Sequence, residues 1–375
     1  MSGTGILIVA GELSGDLHGA NLVEALRELR SDLDFFGVAG PRLRGEGVRP
    51  VARSEDLAHM GLVEVLRELP ALRRIMRALI KEAAERRPAL AILVDSPDFN
   101  LRLASRLKRL GIPVLLYISP QLRAWRKGRV RKVRKLAKEV LCILPFETDF
   151  YHRQQVPARY VGHPLVDEVG EAARSGGHRS LAPGMLALLP GSRAMEIRSL
   201  LPAMLEGLRL LPDGVVSSAR LIVAPGVEEE IAGILSEFGK DERLNVCRGE
   251  ARRSALAECD LAWTASGTAT LECALLDVPM IVGYRLKAFS WFLARMLVDV
   301  PHVALVNLIA EGALVPELLQ KEWNPQRLAE VTRELVESGL GQQLEGLALV
   351  RERLGRSGAS RQAAKAVLEH LAQSR

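Results

Sequence analysis

The chain has 375 residues, 48% of them hydrophobic, which is too long for one compact α/β domain and long enough for two. No stretch of about 18 uncharged apolar residues occurs, and the first apolar run, 6–10, is too short for a signal peptide or a membrane span. The net charge of +6 favours an anionic partner, such as nucleic acid, a phosphorylated substrate or an acidic lipid surface.

Strands alternate with helices through the first half of the chain. Helices of this length between strands indicate parallel β-α-β units. The predicted strands are 6–10, 35–38, 90–94, 114–118, 140–144 and 160–161, and the predicted helices are 19–30, 62–87, 101–110 and 129–137.

Residues 171–184 have no periodicity and predict a linker, after which the alternation resumes. We therefore expect two doubly wound sheets in tandem, with ligands at the carboxyl ends of their strands. The second half predicts strands at 186–189, 221–224, 244–247, 261–264 and 280–282, helices at 195–211, 228–238, 253–258 and 268–276, and a helical tail from 325.

The loop after the first strand carries four polar side chains between small residues, and Gly15 lets a ligand approach its backbone. It matches neither G-x-G-x-x-G nor a Walker A loop, because it lacks the lysine. A tight turn with Ser14 or Asp16 as helix N-cap is the alternative, but four polar side chains exceed what a cap requires. We favour ligand contacts by residues of this loop: Glu12, Ser14, Asp16 and His18.

Strand 90–94 ends in the run DSPDFN, residues 95–100. A carboxylate at this edge could act as general base toward a hydroxyl nucleophile. Asp95 is the better candidate because it directly ends the strand, while Asp98 or Asn100 could instead cap the following helix.

Two small-residue turns open helices in the second half. Gly191, Ser192 and Arg193 follow strand 186–189, and a helix N-terminus with an arginine suits a phosphate. The run ASGTATLE, 265–272, follows strand 261–264. Two such turns predict a diphosphate site that includes Ser266, Gly267 and Thr268, with Glu272 bridging ribose hydroxyls. Alternatively, Glu272 only complements the helix dipole.

The sequence disfavours a metal–diphosphate site, a zinc site and nucleic-acid binding. The one D-x-D, at 32–34, lies at the wrong end of a sheet for a metal–diphosphate site, and the four cysteines form no C-x-x-C pair. Aromatics make up 4% of the residues, too few for stacking on single strands. The basic runs 123–138 and 73–81 suit an anionic membrane surface, although a solvated helix face is the default interpretation.

In the order of its motifs, the chain resembles the lipid-A-disaccharide synthases almost from end to end. Each motif alone is weak, but so many in one order are highly specific. They are AGELSGD (10–16), VAGP (38–41), MGLVEVL (60–66), DSPDFN (95–100), SPQ (119–121), AWR (124–126), LPFE (144–147), VGHP (161–164), LPGSR (189–193), ASGTATLE (265–272), VGYR (282–285), NLIA (307–310) and VPELLQ (315–320).

The resemblance implies a B-type glycosyltransferase fold of two facing Rossmann-like domains, with the C-terminal helix crossing back. The N-terminal domain would comprise residues 1–168 together with a C-terminal helix at about 350–375. The C-terminal domain, 184–349, would bind the UDP-sugar. The implied reaction transfers 2,3-diacylglucosamine from UDP to 2,3-diacylglucosamine 1-phosphate (lipid X), without cofactor or metal. Asp95 would be the base, and the residues matching Arg193 and Asn307 would matter for activity.

The acceptor sugar would be positioned by Glu12, Ser14, Gly15, Asp16, Asp98 and Asn100. The enzyme would be cytoplasmic and peripherally bound to the inner membrane; whether it forms a homodimer stays open. Arg123 and Leu13 depart from the family pattern, which puts acyl-chain preference in doubt. Two alternatives remain. One is a UDP-N-acetylglucosamine 2-epimerase with the same fold, and the other is a non-catalytic protein that binds acidic lipid or RNA.

Overall fold

The computed structural model describes residues 4–58, 65–118, 127–170, 184–212, 214–285 and 302–373. The chain divides into two compact units. The N-terminal unit comprises Met1–Pro164 with Arg356–Arg375, and the C-terminal unit comprises Leu165–Gly355. Each unit is built around its own parallel sheet, as the alternation of strands and helices predicted.

The described part of the N-terminal unit holds seven parallel strands in the order β3-β2-β1-β4-β5-β6-β7. Helices cover both faces of this sheet, so its central strands are continuous apolar runs. The strands are β1 (Thr4–Ala10), β2 (Leu33–Ala39), β3 (Arg49–Arg53), β4 (Leu90–Val94), β5 (Val114–Tyr117), β6 (Glu139–Cys142) and β7 (Ala158–Tyr160). The helices are α1 (Leu13–Leu29), α2 (Pro41–Gly45), α3 (Glu55–Ala58), α4 (Val65–Arg86), α5 (Pro97–Arg109), α6 (Lys127–Leu136) and α7 (Pro145–Arg153).

The described part of the C-terminal unit holds six parallel strands in the order β10-β9-β8-β11-β12-β13. The strands are β8 (Gly184–Leu189), β9 (Val216–Ile222), β10 (Leu244–Cys247), β11 (Leu261–Ala265), β12 (Met280–Tyr284) and β13 (Glu317–Leu319). The helices are α8 (Pro164–Val169), α9 (Ala194–Leu210), α10 (Glu228–Phe238), α11 (Arg252–Ala257), α12 (Thr268–Leu275), α13 (Leu305–Ala310), α14 (Pro325–Ser338) and α15 (Gly341–Leu354).

Two buried tryptophans hold helices against the sheet of the C-terminal unit. The indole N–H of Trp263 on β11 donates to Thr332 of α14 at 2.9 Å, and that of Trp323 donates to the carbonyl of Leu200 in α9 at 3.1 Å. A Cβ on Gly283 would lie 2.3 Å from the Trp323 ring, so β12 needs glycine there. This packing fixes α9, whose first turn carries a predicted phosphate site.

The last helix, α16 (Ala359–Gln373), packs on α1 and belongs to the N-terminal unit. Its buried face is made of small residues such as Ala363 and Ala364, which let the two helices approach closely. At its end, His370 Nε2 lies 2.9 Å from Glu139 Oε2 on β6. The C-terminal helix therefore returns to the first sheet, as the resemblance implied.

The first helix begins earlier than predicted. The periodicity predicted a helix from residue 19, but α1 starts at Leu13, so most of the predicted loop is its first two turns. The tight approach is at Gly19, where a Cβ would lie 3.2 Å from the Leu43 side chain, whereas a Cβ on Gly15 would lie 3.7 Å from both Ala10 and Val94, an ordinary contact distance. Neither predicted N-cap is correct, because Glu12 occupies that position without a side-chain hydrogen bond.

Several short elements were missed, including β3, β13, α7 and α13. Strands of three to five residues and helices of six to nine residues give too few repeats for a periodicity. Of the predicted linker 171–184, residues 171–183 lie outside the described residues, while Gly184 begins β8. The start of helix 62–87 and the positions of Arg123 and Trp125 also lie outside the described residues.

Candidate active site

The turn after β4 combines backbone strain with a tight brace. Asp95 and Ser96 both have positive φ, 47° and 41°, a conformation that costs a non-glycine residue about 1–3 kcal/mol. The Asn100 side-chain amide donates to the carbonyls of Val94 at 3.0 Å and Asp95 at 2.6 Å. Asp95 itself is half-buried. The brace therefore supports the strained backbone of Asp95 at the carboxyl end of the sheet.

The other two polar residues of this turn differ in availability. Asn100 is 1% exposed and its amide N–H groups are used by the brace, which gives it a supporting role, while its contact with an acceptor stays a prediction. Asp98 lies in the first turn of α5, where its 75% exposed side chain pairs with Arg129. Of the two, only Asp98 is open to a ligand.

The first turn of α1 leaves the sheet beside Asp95, because Ala10 of β1 pairs directly with Val94 of β4. Glu12 and Ser14 are exposed there, whereas Gly15 is buried against the sheet. The structure therefore brings Asp95, Glu12 and Ser14 to one edge.

Asp16 has a different role from the predicted one. Its side chain is 2% exposed, and its carboxylate accepts hydrogen bonds from the backbone N–H groups of Gly40 (2.7 Å), Arg42 (2.9 Å) and Leu43 (3.2 Å). These donors open α2, so Asp16 caps a helix 25 residues away in sequence. A Cβ on Gly40 would lie 2.4 Å from this carboxylate, which explains the glycine in the VAGP motif. These contacts give Asp16 a structural role as a cap, and its contact with a sugar stays a prediction.

A buried histidine at the end of the N-terminal unit was given no role by the sequence argument. His163, 5% exposed, has its pKa lowered to about 4 by burial and by the neighbouring His18. It is therefore neutral near pH 7. Its only sequence signal is the VGHP motif.

The turn after β8 exposes a cation at a helix start. Arg193 is the N-cap of α9, its side chain is 78% exposed, and its nearest carboxylate is Glu196 at 3.5 Å. Gly191 has φ 110°, and a Cβ there would lie 2.5 Å from the Glu196 carboxylate. Ser192 is exposed. The guanidinium and the first N–H groups of α9 are thus accessible to an anion.

The turn after β11 has the same design. Gly267 precedes α12 with φ 147° and ψ −156°, which only glycine adopts readily, and a Cβ there would meet nothing within 4 Å. Ser266 Oγ donates to the Val303 carbonyl at 3.0 Å, which ties the turn down, while Thr268 is exposed. The space beside Gly267 is open to a ligand.

These two turns are neighbours, because β8 and β11 pair directly and in parallel, with Leu189 opposite Thr264. Two helix N-termini therefore leave one sheet edge side by side.

Glu272 lies one turn into α12, and its side chain is 17% exposed. Its Oε1 accepts a hydrogen bond from Arg253 Nε at 3.0 Å. Arg253 also contacts Glu168 of α8, so the predicted ribose ligand belongs to a network of three charged residues.

Asn307, which the resemblance places among the UDP-binding residues, is buried, and its side chain is hydrogen-bonded to protein groups. Its side chain exchanges hydrogen bonds with the backbone of Val315 (2.9 and 3.0 Å) and donates to Glu317 at 2.8 Å. Glu317, which the sequence argument missed, also accepts from the N–H groups of Val303 and Ala304. These hydrogen bonds make Asn307 a brace for α13, which begins just after these N–H groups, and its contact with UDP stays a prediction.

Two surveys of the described residues bear on ligands and membranes. No group of three or more His, Cys, Asp or Glu side chains in these ranges is arranged to hold a metal ion. Within the same ranges, every helix is too short or too polar to span a bilayer.

Comparison with known proteins gives a consistent result. A family model described as lipid-A-disaccharide synthetase matches residues 6–369. The lipid-A-disaccharide synthase of Myxococcus xanthus (strain DK1622) is 45% identical over 375 residues, which covers 98% of this chain and 97% of that protein.

Solved structures share the fold at low identity. The glycosyltransferase of kitacinnamycin has a TM-score of 0.66 at 17% identity, covering 99% of this chain and 100% of its own. The UDP-N-acetylglucosamine 2-epimerase of Neisseria meningitidis, bound to UDP-GlcNAc, has a TM-score of 0.65 at 13% identity, covering 97% and 100%.

Two parallel-sheet units with glycine turns at their carboxyl edges define an enzyme with the B-type glycosyltransferase fold. Because epimerases share this fold, the fold alone does not separate the two activities. The family match does: the chain belongs to the lipid-A-disaccharide synthetase family, and it is a glycosyltransferase of lipid A biosynthesis. This confirms the predicted family and enzyme class and removes the epimerase and non-catalytic alternatives.

Proposed function

We propose that the enzyme transfers 2,3-diacylglucosamine from UDP to the 6-hydroxyl of 2,3-diacylglucosamine 1-phosphate. The acceptor oxygen attacks the anomeric carbon as the bond to the UDP oxygen breaks, with inversion. The acceptor proton goes to a carboxylate, and the products are a β-1,6-linked disaccharide 1-phosphate and UDP. The adjacency of the glycine turns after β8 and β11, one with an exposed arginine, carries this proposal.

The C-terminal unit would bind the nucleotide. N–H groups at the starts of α9 and α12 face developing negative charge on the diphosphate, and Arg193 adds a permanent positive charge. The open space beside Gly267 admits the phosphates. Ser192, Ser266 and Thr268 supply hydroxyls, Gly191 shapes the turn, and Glu272 accepts from the ribose.

The N-terminal unit would supply the base. Asp95 directly follows β4 and is held by the Asn100 brace, so its orientation costs no reorganisation when the acceptor binds. Glu12, Ser14 and Asp98 are exposed at the same edge and would position the acceptor. Gly15 lies at the same edge, buried against Ala10 and Val94.

A basic surface would hold the enzyme on the cytoplasmic face of the inner membrane. Helices α5 and α6 pack together, and none of their exposed cations is in an ion pair with a described residue. Such a surface is attracted to anionic lipid by about 1 kcal/mol per charge. These cations, hereafter the basic surface, are Arg102, Arg106, Lys108, Arg109, Arg131, Lys132, Arg134 and Lys135.

The direct test incubates the purified protein with UDP-2,3-diacylglucosamine and lipid X and follows both products by mass spectrometry. We expect the disaccharide 1-phosphate and UDP in equal amounts. UDP-N-acetylglucosamine incubated alone should give no epimer. Release of UDP without disaccharide, or epimer formation, would overturn the proposed reaction.

A further inference from the structure

Glu272 is held from one side by a single arginine. Arg253 Nε donates to Oε1 of Glu272 at 3.0 Å, and no residue in the described ranges hydrogen-bonds Oε2. One oxygen of the carboxylate is therefore fixed while the other remains able to accept. A flexible glutamate would otherwise lose side-chain entropy on binding a ligand.

The remaining nitrogens of Arg253 are committed to α8. Nη1 donates to the backbone carbonyl of Glu168 at 3.1 Å, and Nη2 pairs with the Glu168 carboxylate. All three guanidinium nitrogens are thus engaged, and the planar guanidinium fixes the geometry of both partners. Because α8 begins at the last residue of the N-terminal unit, this network joins Glu272 to the segment where the chain passes between units.

The network keeps its charges. Burial opposes the charge on Arg253, but its hydrogen bonds to Glu168 and Glu272 outweigh burial and raise its pKa. Two carboxylates share one guanidinium, which leaves one excess negative charge. That charge suits a ligand that donates hydrogen bonds, such as a diol, and disfavours a phosphate at this point.

We propose that Arg253 is a positioning residue for the nucleotide site. By clamping Glu272 against Glu168, it aims Oε2 of Glu272 at the ribose hydroxyls, so that recognition of the diol depends on α8. This inference rests on the proposed nucleotide site and adds to it a residue that touches no substrate.

The test compares the affinities of UDP and 2′,3′-dideoxy-UDP by calorimetry. A hydrogen bond to a charged group is worth about tenfold to a hundredfold, so the wild type should prefer UDP by that ratio. Arg253→Ala should reduce the ratio several-fold, and Arg253→Lys should restore part of it. A general loss of structure would weaken both ligands alike and leave the ratio unchanged.

Two further variants sharpen the test. Arg252→Ala removes the adjacent arginine of α11, which has no hydrogen bond to Glu168 or Glu272, and should keep the wild-type ratio. Glu168→Ala should lower the ratio in the same direction as Arg253→Ala but by less, because Glu168 contacts only Arg253. An unchanged or increased ratio in Arg253→Ala, or an unchanged ratio in Glu168→Ala, would overturn the proposal.

If the proposed nucleotide site itself were wrong, the binding measurements would give a different result from the failure of the Arg253 role alone. If the wild type did not bind UDP, or if Glu272→Ala kept the preference for UDP, the ribose assignment itself would be wrong. If Glu272→Ala lost the preference for UDP over 2′,3′-dideoxy-UDP while Arg253→Ala kept it, only the positioning role of Arg253 would be wrong.

Discussion

Asp95 adopts a left-handed backbone conformation that is uncommon outside glycine, and the Asn100 amide donates to the carbonyls of Val94 and Asp95 at this turn. If this carboxylate takes the acceptor proton, Asp95→Asn should lower kcat by about 10²–10⁴-fold, the usual contribution of a general base. UDP affinity should stay within about twofold, since Asp95 is not part of the nucleotide site. Initial rates and calorimetry measure both, and near-normal turnover in a folded variant would contradict the assignment.

Asp16 is a structural residue, although the sequence suggested a ligand. Asp16→Ala would leave three buried N–H groups at the start of α2 unpaired, and we expect a loss of roughly 2 kcal/mol in the free energy of unfolding. The melting temperature reports this. The affinity for UDP should be unchanged. A variant of wild-type stability with impaired acceptor binding would restore the original interpretation.

Among the elements, helix α16 is tied to the first sheet by a charge network. Burial alone would raise the pKa of Glu139, but the hydrogen bond from His370 and the charge of Arg159 outweigh it, so the pKa lies below its usual value. A carboxyl whose pKa is lowered on folding stabilises the fold above its unfolded pKa, and this contribution is lost as pH falls through the folded pKa.

Glu139→Gln should therefore lower the melting temperature at pH 7. The difference from wild type should shrink as the pH falls from about 4.3, the usual glutamate value, through the lower folded pKa, because Glu139 then becomes protonated in the folded wild type as well. Glu369→Gln is the matched control, since its 54% exposed side chain should contribute little. A difference that persists unchanged in acid would contradict the role of this charge.

For the molecule as a whole, strand–helix alternation was enough to predict two doubly wound sheets, because parallel strands buried on both faces form long apolar runs. The turns after β8 and β11 were also predictable, since glycine there meets a backbone requirement. The structural roles of Asp16 and Asn307 could not be predicted, because the sequence does not show whether a polar side chain contacts a substrate or a distant backbone group. The partners of Arg253 and Glu317 are distant in sequence, so no local sequence pattern indicates the roles of these two residues.

The proposed attachment to a membrane is also tested on the whole molecule. Replacing Arg131 and Arg134 of the basic surface by glutamine removes two charges and should weaken partitioning onto anionic vesicles about 30-fold, and added salt should weaken wild-type binding. Replacing Arg248 and Arg333, exposed cations of the C-terminal unit, removes the same charge and should have little effect. Vesicle binding that does not depend on salt concentration would contradict the assignment to this surface. An equal loss of binding in the two double variants would contradict it as well.

The most direct test of the account is a crystal structure with UDP bound. We predict the diphosphate against the first N–H groups of α9 and α12, with Arg193 on a phosphate oxygen and Glu272 on the ribose hydroxyls. A nucleotide bound away from the turns after β8 and β11, or with Arg193 and Glu272 on neither phosphate nor ribose, would contradict the assignment of the donor site.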